Sequence, residues 1–151
     1  MSDGLAAAGY SGTPLPKKLG IKPGHRVYLG AAPEGFLEKA LVPLPEGVTI
    51  LRSARRPIDV ALVFCRTMAD LRTRFAAAEA AMTTNGGLWV AWPKKASGWA
   101  TELDEGVVQR FGLDAGLVDN KGCAVTDVWS GLRFVVRLVD REARAARTLS
   151  R

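Results

Sequence analysis

The sequence predicts an α/β domain of three layers, with a mostly parallel sheet that closes in an antiparallel C-terminal hairpin. Three observations support this prediction. Residues 25–41 combine a buried strand, a tight turn of small residues and a short amphipathic helix. Residues 58–65 are almost entirely apolar, as is typical of a central parallel strand covered on both faces. Residues 122–129 and 132–139 alternate around a Ser-Gly pair and predict the hairpin.

The composition is that of one ordinary globular domain. The chain has 151 residues, of which 48% are hydrophobic and 24% charged. No apolar run reaches membrane-spanning length, and the amino terminus lacks the layout of a signal peptide. The two cysteines and the single histidine show no metal-ligand spacing. We therefore expect a cytoplasmic protein without a metal and without a membrane partner.

The net charge of +6 belongs to the two ends of the chain. Residues 1–26 and 137–151 each carry a net charge of +3, whereas residues 27–136 hold 12 basic and 12 acidic side chains. Such basic ends attract nucleic acid without reading its sequence. Nucleic-acid association is thus an alternative function, but solvated basic ends are the favoured interpretation and nucleic acid is disfavoured as a partner.

Three segments are predicted along the chain. Residues 1–24 form an irregular N-terminal arm, rich in Gly and Pro, with a helical turn at 5–8 and with Leu15, Leu19 and Ile21 placed to pin it to the domain. Residues 25–139 form a single α/β domain. Residues 140–151 form a basic C-terminal tail that continues as a frayed helix.

Residues 25–41 predict where the first strand ends and where the helix after it begins. Gly30 allows a sharp turn, and Pro33 is suited to the first position of a helix that runs to Leu41. A short strand follows at 48–51. The six residues 52–57 are too few for a crossover helix, so we expect them to cross the sheet extended; an antiparallel short strand is the alternative.

Capping signals place the two longer helices. Thr67 is the N-cap of a helix ending near residue 84, with Asp70 in capping-box position, and the segment Asn-Gly-Gly at 85–87 precedes a strand at 88–92. Thr101 is predicted to cap a second helix that ends at Phe111. Gly112 is then its C′ residue.

Residues 19–35, Leu-Gly-Ile-Lys-Pro-Gly-His-Arg-Val-Tyr-Leu-Gly-Ala-Ala-Pro-Glu-Gly, resemble the first motif of class I S-adenosylmethionine-dependent methyltransferases. Residues 58–63, 85–90 and the closing hairpin are similar to the later strands of that fold. The resemblance covers residues 19–139 and implies a Rossmann-like, methyltransferase-like fold. The arm at 9–20 is also similar to a domain-of-unknown-function family of small bacterial proteins, which implies no activity.

Several residues depart from the methyltransferase pattern. Tyr28 stands where the family has an acidic residue, and Ala32 replaces the central glycine in Gly30-x-Ala32-x-x-Gly35. Arg52 stands where the family's acidic residue holds the ribose hydroxyls. One strand–helix unit is also missing. Each departure removes a cofactor contact, so S-adenosylmethionine is disfavoured and no cofactor is predicted.

Ligands of open α/β sheets bind at the carboxyl ends of the strands. The candidate ligand-binding residues at these ends are Gly30, Ala32, Gly35, Arg66, Trp92 and Lys94. Two of these side chains are cationic, and Trp92 or Trp99 would form an aromatic wall, so a small anionic or aromatic ligand is expected. Packed tryptophans and solvated lysines are the ordinary alternative.

No catalytic group is predicted. Cys65 precedes a helix N-terminus and adjoins Arg66, but no general base is evident, so a buried inert thiol is the favoured interpretation. His25 is expected to be an ordinary loop residue. The sequence leaves the function open: a non-catalytic domain that binds a protein partner or a small ligand is favoured, and a reduced methyltransferase-like enzyme is the alternative. It predicts no oligomeric state.

Overall fold

The computed structural model describes residues 12–149 and contains one six-stranded sheet. The strands are β1 (Arg26–Gly30), β2 (Thr49–Leu51), β3 (Ile58–Phe64), β4 (Met82–Pro93), β5 (Leu117–Ala124) and β6 (Trp129–Val136). Their order in the sheet is β2-β1-β3-β4-β6-β5. The first four are mutually parallel, and β6 pairs antiparallel with both β4 and β5. The predicted fold class is confirmed.

Helices cover both faces of the sheet. They are α1 (Leu15–Lys18), α2 (Phe36–Lys39), α3 (Met68–Ala81), α4 (Glu105–Asp114) and α5 (Arg141–Leu149). One apolar core lies between the sheet and α3 and α4, through side chains such as Phe75 and Val108. A second core lies on the opposite face, where Leu15, Leu19 and Phe36 pack on the sheet. These two cores produce the three layers that the sequence predicts.

The short strand β2 runs parallel to β1, with Arg26 opposite Thr49. Strand β3 pairs with the other side of β1, also parallel, with Val27 opposite Val60. Residues 52–57 therefore cross from one side of β1 to the other without a helix. The crossing is confirmed and the antiparallel alternative is wrong, but the segment is bent rather than fully extended, since the amide of Arg55 donates to the carbonyl of Ser53 (2.9 Å).

Helix α2, which follows β1, is shorter than the sequence predicts. It begins at Phe36 rather than at Pro33, because Ala31 and Gly35 both take positive φ, at 58° and 80°. The carbonyl of Pro33 instead accepts a hydrogen bond from the amide of Phe36 (3.0 Å), which closes a turn. The helix ends at Lys39, so the strand is followed by a turn and barely one helical turn.

Helix α3 has the predicted cap but ends early. The Thr67 hydroxyl accepts a hydrogen bond from the amide of Asp70 (3.0 Å), as the capping-box pattern predicts. The helix stops at Ala81 rather than near residue 84, and β4 begins at Met82 rather than at residue 88. Residues 82–87 join β4, since Ile58 pairs with Met82 and Val60 with Gly87 across an irregular register.

Helix α4 starts and ends later than predicted. Its N-cap is Asp104, whose Oδ1 accepts from the amide of Val107 (2.9 Å), and the glycine beyond its end is Gly116 with φ of 93°. Thr101 lies outside the helix and donates its hydroxyl to the carbonyl of Arg66 (2.8 Å). Gly112 lies inside the helix, against Phe134.

The hairpin exists, but its turn is misplaced in the sequence prediction. Residues 125–128 connect the strands, and Ala124 pairs with Ser130. The Ser-Gly pair at 130–131 lies within β6. Buried Thr126 organises the connection, because its hydroxyl oxygen accepts from the amides of Val128 and Trp129 (3.1 and 3.2 Å).

Both ends of the described chain pack on the domain. Leu15, Leu19 and Ile21 are buried, and the indole Nε1 of Trp89 donates to the carbonyl of Leu19 (3.0 Å). The predicted helical turn at 5–8 lies outside the described residues, as do residues 150–151 of the predicted tail helix. Of the helices in residues 12–149, none has the length and apolarity needed to cross a membrane.

Candidate functional site

The carboxyl ends of the central strands meet at one edge of the sheet. Gly30 at the end of β1 pairs with Val63, and Phe64 at the end of β3 pairs with Ala91 of β4. The chain segments that follow these strands therefore start from the same edge. They carry the candidate residues that the sequence predicts.

The turn after β1 borders a cavity of about 430 Å³, between the turn and the end of β2. Residues 32–38 and Arg52 line it. Ala32 and Gly35 are thus brought together with Arg52, the residue that departs from the methyltransferase pattern. Two exposed carboxylates, Glu34 and Glu38, complete the lining.

Gly30 lies beside this cavity but does not line it. A Cβ at Gly30 would lie 2.8 Å from Cγ1 of Val63 and 3.1 Å from the hydroxyl of Tyr28. Glycine is therefore required at this strand end by close packing. The Tyr28 ring takes up the space beside Gly30 on this face of the sheet.

Arg66 is fixed to the loop that precedes α4. Its guanidinium donates from Nε and Nη2 to the carbonyl of Ala100 (3.3 and 3.2 Å). Its own carbonyl accepts from the hydroxyl of Thr101 and from the amide of Glu102 (2.8 and 3.2 Å). These bonds hold residues 100–102 at the carboxyl end of β3.

Glu102 serves a different helix from the one the sequence indicates. The acidic cluster at 102–105 is expected to favour the dipole of the helix that follows it. In the structure, Oε2 of Glu102 accepts from the amide of Met68 (3.1 Å), at the first turn of α3. The carboxylate therefore satisfies a free N–H of α3 and joins the loop to that helix.

Trp92 lies near the end of β4, and Lys94 follows that strand directly. The Trp92 side chain is only 6% exposed and belongs to the core under α3 and α4. Lys94 is half-buried, and its amide donates to the carbonyl of Val128 in the hairpin connection (2.7 Å).

Trp99 is the exposed aromatic side chain at this edge. It is 40% exposed, and its ring meets Trp129 edge to face, with centroids 5.7 Å apart and planes at 81°. The guanidinium carbon of Arg66 lies 5.2 Å from the centroid of the Trp99 ring. The indole is therefore held by a cation–π contact and an aromatic contact while much of it faces solvent.

A continuous series of aromatic rings connects Trp99 to α2. Trp129 packs on Phe64 at 5.0 Å, and Phe64 packs on Phe36 at 5.1 Å. The rings of Phe36, Phe64 and Trp129 are buried. They fill the space at the carboxyl edge between α2 and the loop of Trp99. This series is not predicted from the sequence, although Phe64, an aromatic residue at the end of a buried strand, is a signal for it.

Cys65 is a buried thiol. Its side chain is 0% exposed, and burial raises its pKa to about 12, against the opposing effect of nearby Arg74. This placement agrees with the inert thiol favoured by the sequence. Among residues 12–149, no three His, Cys, Asp or Glu side chains come together in a group that would hold a metal.

The basic tail is partly used in packing. Arg144 donates from Nη1 to the carboxylate of Glu79 (2.9 Å) and from Nη2 to the carbonyl of Glu79 (2.6 Å). Arg141 donates from Nε to the carbonyl of Val136 (3.2 Å). Two of the tail arginines therefore join α5 to the domain.

The sheet order, the layers and the turn after β1 define a Rossmann-like α/β domain of the methyltransferase type. The chain is similar in structure to the N-methyltransferase NodS from Bradyrhizobium japonicum WM9, with a TM-score of 0.54 and 13% sequence identity. This similarity covers 80% of the present chain and 90% of NodS. No protein-family model and no curated protein matches the sequence. At this identity the comparison shows the fold alone.

Proposed function

We propose that this chain is a non-catalytic Rossmann-like domain whose function is binding, and that it holds a small aromatic anion against Trp99 and Arg66. The observation that carries the proposal is the exposure of Trp99. Its side chain is 40% exposed, although it contacts both Arg66 and Trp129. A large aromatic side chain fixed before binding loses little conformational freedom when a ligand arrives. Such residues are frequent at the centre of binding surfaces.

The charge of Arg66 and the flat indole of Trp99 favour a ligand with an aromatic ring and a negatively charged group. The Trp99 indole offers a surface for ring stacking. Arg66 is exposed and uses Nε and Nη2 for the carbonyl of Ala100, so the Nη1 side of its guanidinium is available to a carboxylate. A partner protein with an aromatic or acidic side chain at its surface would contact the same two residues, Trp99 and Arg66.

The side chains at the carboxyl ends of the strands support a domain without catalysis. Phe36, Phe64 and Trp129 are buried and pack on one another at this edge, and none of them carries a group that could transfer a proton at neutral pH. The thiol of Cys65 is buried and protonated. Catalytic thiols, in contrast, have lowered pKa values and a neighbouring base.

Isothermal titration calorimetry with benzoate and indole-3-acetate tests the proposal. We expect both probes to bind the wild-type chain more tightly than acetate, which lacks a ring, and we expect this preference to be lost in Trp99→Ala. Leu113→Ala is the matched control, since Leu113 is 39% exposed but lies on α4; it should bind as the wild type does. Circular dichroism confirms that both variants are folded. The proposal would be refuted if neither probe binds the wild-type chain, or if Trp99→Ala binds the probes as the wild type does.

A reduced methyltransferase-like enzyme is the second candidate. It is supported by the similarity to NodS and by the cavity of about 430 Å³ that the turn after β1 shares with Arg52. Thermal unfolding with and without S-adenosylmethionine distinguishes it. A stabilisation of several degrees that Ala32→Asp weakens would favour the enzyme. No stabilisation, together with no transfer of labelled methyl groups above background, would favour the binding domain.

A further inference from the structure

A second cavity, of about 220 Å³, opens at the amino edge of the parallel strands, opposite the edge that carries Trp99. It lies between the end of the arm, the first residues of β3 and β4, and the last part of β6. The residues that supply its polar groups are Lys22, His25, Asp59, Thr83, Asn85 and Arg133. The proposed function does not involve this part of the molecule.

Arg133 of β6 is the central residue of this cavity. Its Nε is buried and has no hydrogen-bond partner, and its Nη1 has only a long contact of 3.4 Å to Oδ1 of Asn120. Burial lowers the pKa of Arg133, and the nearby charge of Arg141 lowers it further. A buried cationic donor without a partner costs folding free energy, which an anion in the cavity would offset.

The backbone of β4 is shaped to accept this guanidinium. A Cβ at Gly87 would lie 2.7 Å from Nη2 and 2.8 Å from Cζ of Arg133, so only glycine leaves room for the side chain. A Cβ at Gly86 would lie 2.9 Å from the carbonyl of Asp59. Glycines weaken a strand interior, and here Gly87 leaves space for the arginine, whereas Gly86 allows close packing against the backbone of β3.

Two further donors come from the segment that leads into β1. The Lys22 side chain is exposed and makes no ion pair within residues 12–149. Nδ1 of His25 accepts from the amide of Lys22 (3.1 Å), which assigns the proton of the neutral imidazole to Nε2 and leaves that N–H for a ligand. Asp59 is the one carboxylate of the lining, and its Oδ2 accepts from the amide of Arg26 (2.8 Å).

We propose that this cavity binds a small oxyanion, a phosphate or a carboxylate, on Arg133, Lys22 and His25. The two permanent cations outweigh the single carboxylate, so the lining attracts negative charge. A guanidinium is well matched to the two oxygens of either group. The volume of about 220 Å³ holds several waters but is below the roughly 300–1,000 Å³ of sites for drug-sized ligands. The occupant is therefore a single anionic group on a small molecule.

His25 is the only histidine of the chain, so its imidazole resonances report on the cavity without assignment. Inorganic phosphate is titrated into the full chain at fixed pH and ionic strength, and acetate is titrated in parallel. We expect a saturable shift of the His25 signals with at least one of the two anions. The anion that binds more tightly identifies the chemical class.

Two variants and two controls test the assignment. Arg133→Gln should weaken binding by about tenfold or more, the scale of a lost hydrogen bond to a charged group, and Lys22→Gln, at an exposed position, should weaken it without affecting the fold. Arg110→Gln, at an exposed arginine on α4, should bind as the wild type does. Trp99→Ala should also leave this site unchanged, which separates it from the proposed ligand site. Absence of a saturable shift, or wild-type affinity in both Arg133→Gln and Lys22→Gln, would overturn the proposal.

Discussion

Gly112, inside helix α4, lies directly against the ring of Phe134 on β6, and a Cβ at this position would overlap that ring. Phe134 is fully buried and packs edge to face on Phe75 of α3, with centroids 5.6 Å apart. The glycine thus lets α4 approach the sheet closely enough for three elements to share one aromatic contact. Its function in the chain is packing rather than helix termination.

Gly112→Ala should destabilise the protein. Alanine is the better helix former by about 1 kcal/mol, but overpacking a buried site costs about 1–3 kcal/mol, and here the clash is with a ring that has no room to move. We expect a net loss in the free energy of unfolding, measured by urea denaturation.

Gly106→Ala on the same helix is the matched control. A Cβ there meets only Oδ1 of Asp104, at 3.5 Å, so this variant should be as stable as the wild type or more stable by up to about 1 kcal/mol. Equal effects of the two substitutions would show that helix propensity, and not contact with Phe134, determines the result at Gly112.

Elements defined by local interactions were predictable from the sequence. The N-cap bond between Thr67 and Asp70 involves residues three apart and is present, and the Asp70 carboxylate accepts from the nearby amide of Arg66. The turn at Ser130-Gly131 was predicted on the same local grounds and is wrong. A Cβ at Gly131 would lie 2.8 Å from Cγ2 of Val125 and 3.2 Å from the Trp89 ring, so that glycine is required by packing within β6.

The candidate site was predictable only in its location. Parallel strands place their carboxyl ends at one edge, and Gly30 and Arg66 lie there. That Trp92 is core and Trp99 exposed depends on how residues 94–104 fold back on Arg66, which no local pattern specifies. The cavity around Arg133 was missed because it requires the end of β6 to lie beside the start of β4.

Asp70→Asn should lower stability at neutral pH and have a diminishing effect in acid. Hydrogen bonding from the amide of Arg66 (3.0 Å) is the main cause of the lowered pKa of Asp70, with the Arg74 guanidinium (3.3 Å) contributing. A lowered folded-state pKa contributes stability above the unfolded value of about 3.9, and this contribution is lost as the pH falls through the folded value.

Urea denaturation of both proteins between pH 7 and pH 3 checks this prediction. Because Asp70 is partly exposed, we expect a difference of no more than about 1 kcal/mol at pH 7. The difference should decrease below about pH 4. A difference that stays constant across this range would show that the ionised carboxylate contributes nothing to stability.

Cys65 should resist alkylation in the native protein. Its thiol is buried with a pKa of about 12, so iodoacetamide at pH 8 meets neither thiolate nor an exposed sulfur. Cys123 is half-buried, its pKa is also raised by burial, and its peptide provides the internal comparison. We expect labelling of Cys65 only in urea, measured by mass spectrometry of the peptides, and slow labelling of Cys123 without denaturant. Equal native rates would contradict the burial of Cys65.

Arg144→Ala should release α5 from the domain. The Arg144 guanidinium bridges the carboxylate and carbonyl of Glu79 and lies 3.3 Å from the carbonyl of Met82, so its loss removes three hydrogen bonds between α5 and the domain. We expect a cost of about 1–3 kcal/mol in urea denaturation, and faster hydrogen exchange of the α5 amides. Arg110→Ala, at an exposed position without such contacts, should change stability by less than about 0.5 kcal/mol. If α5 keeps its protection in Arg144→Ala, then apolar contacts and not this arginine hold the helix.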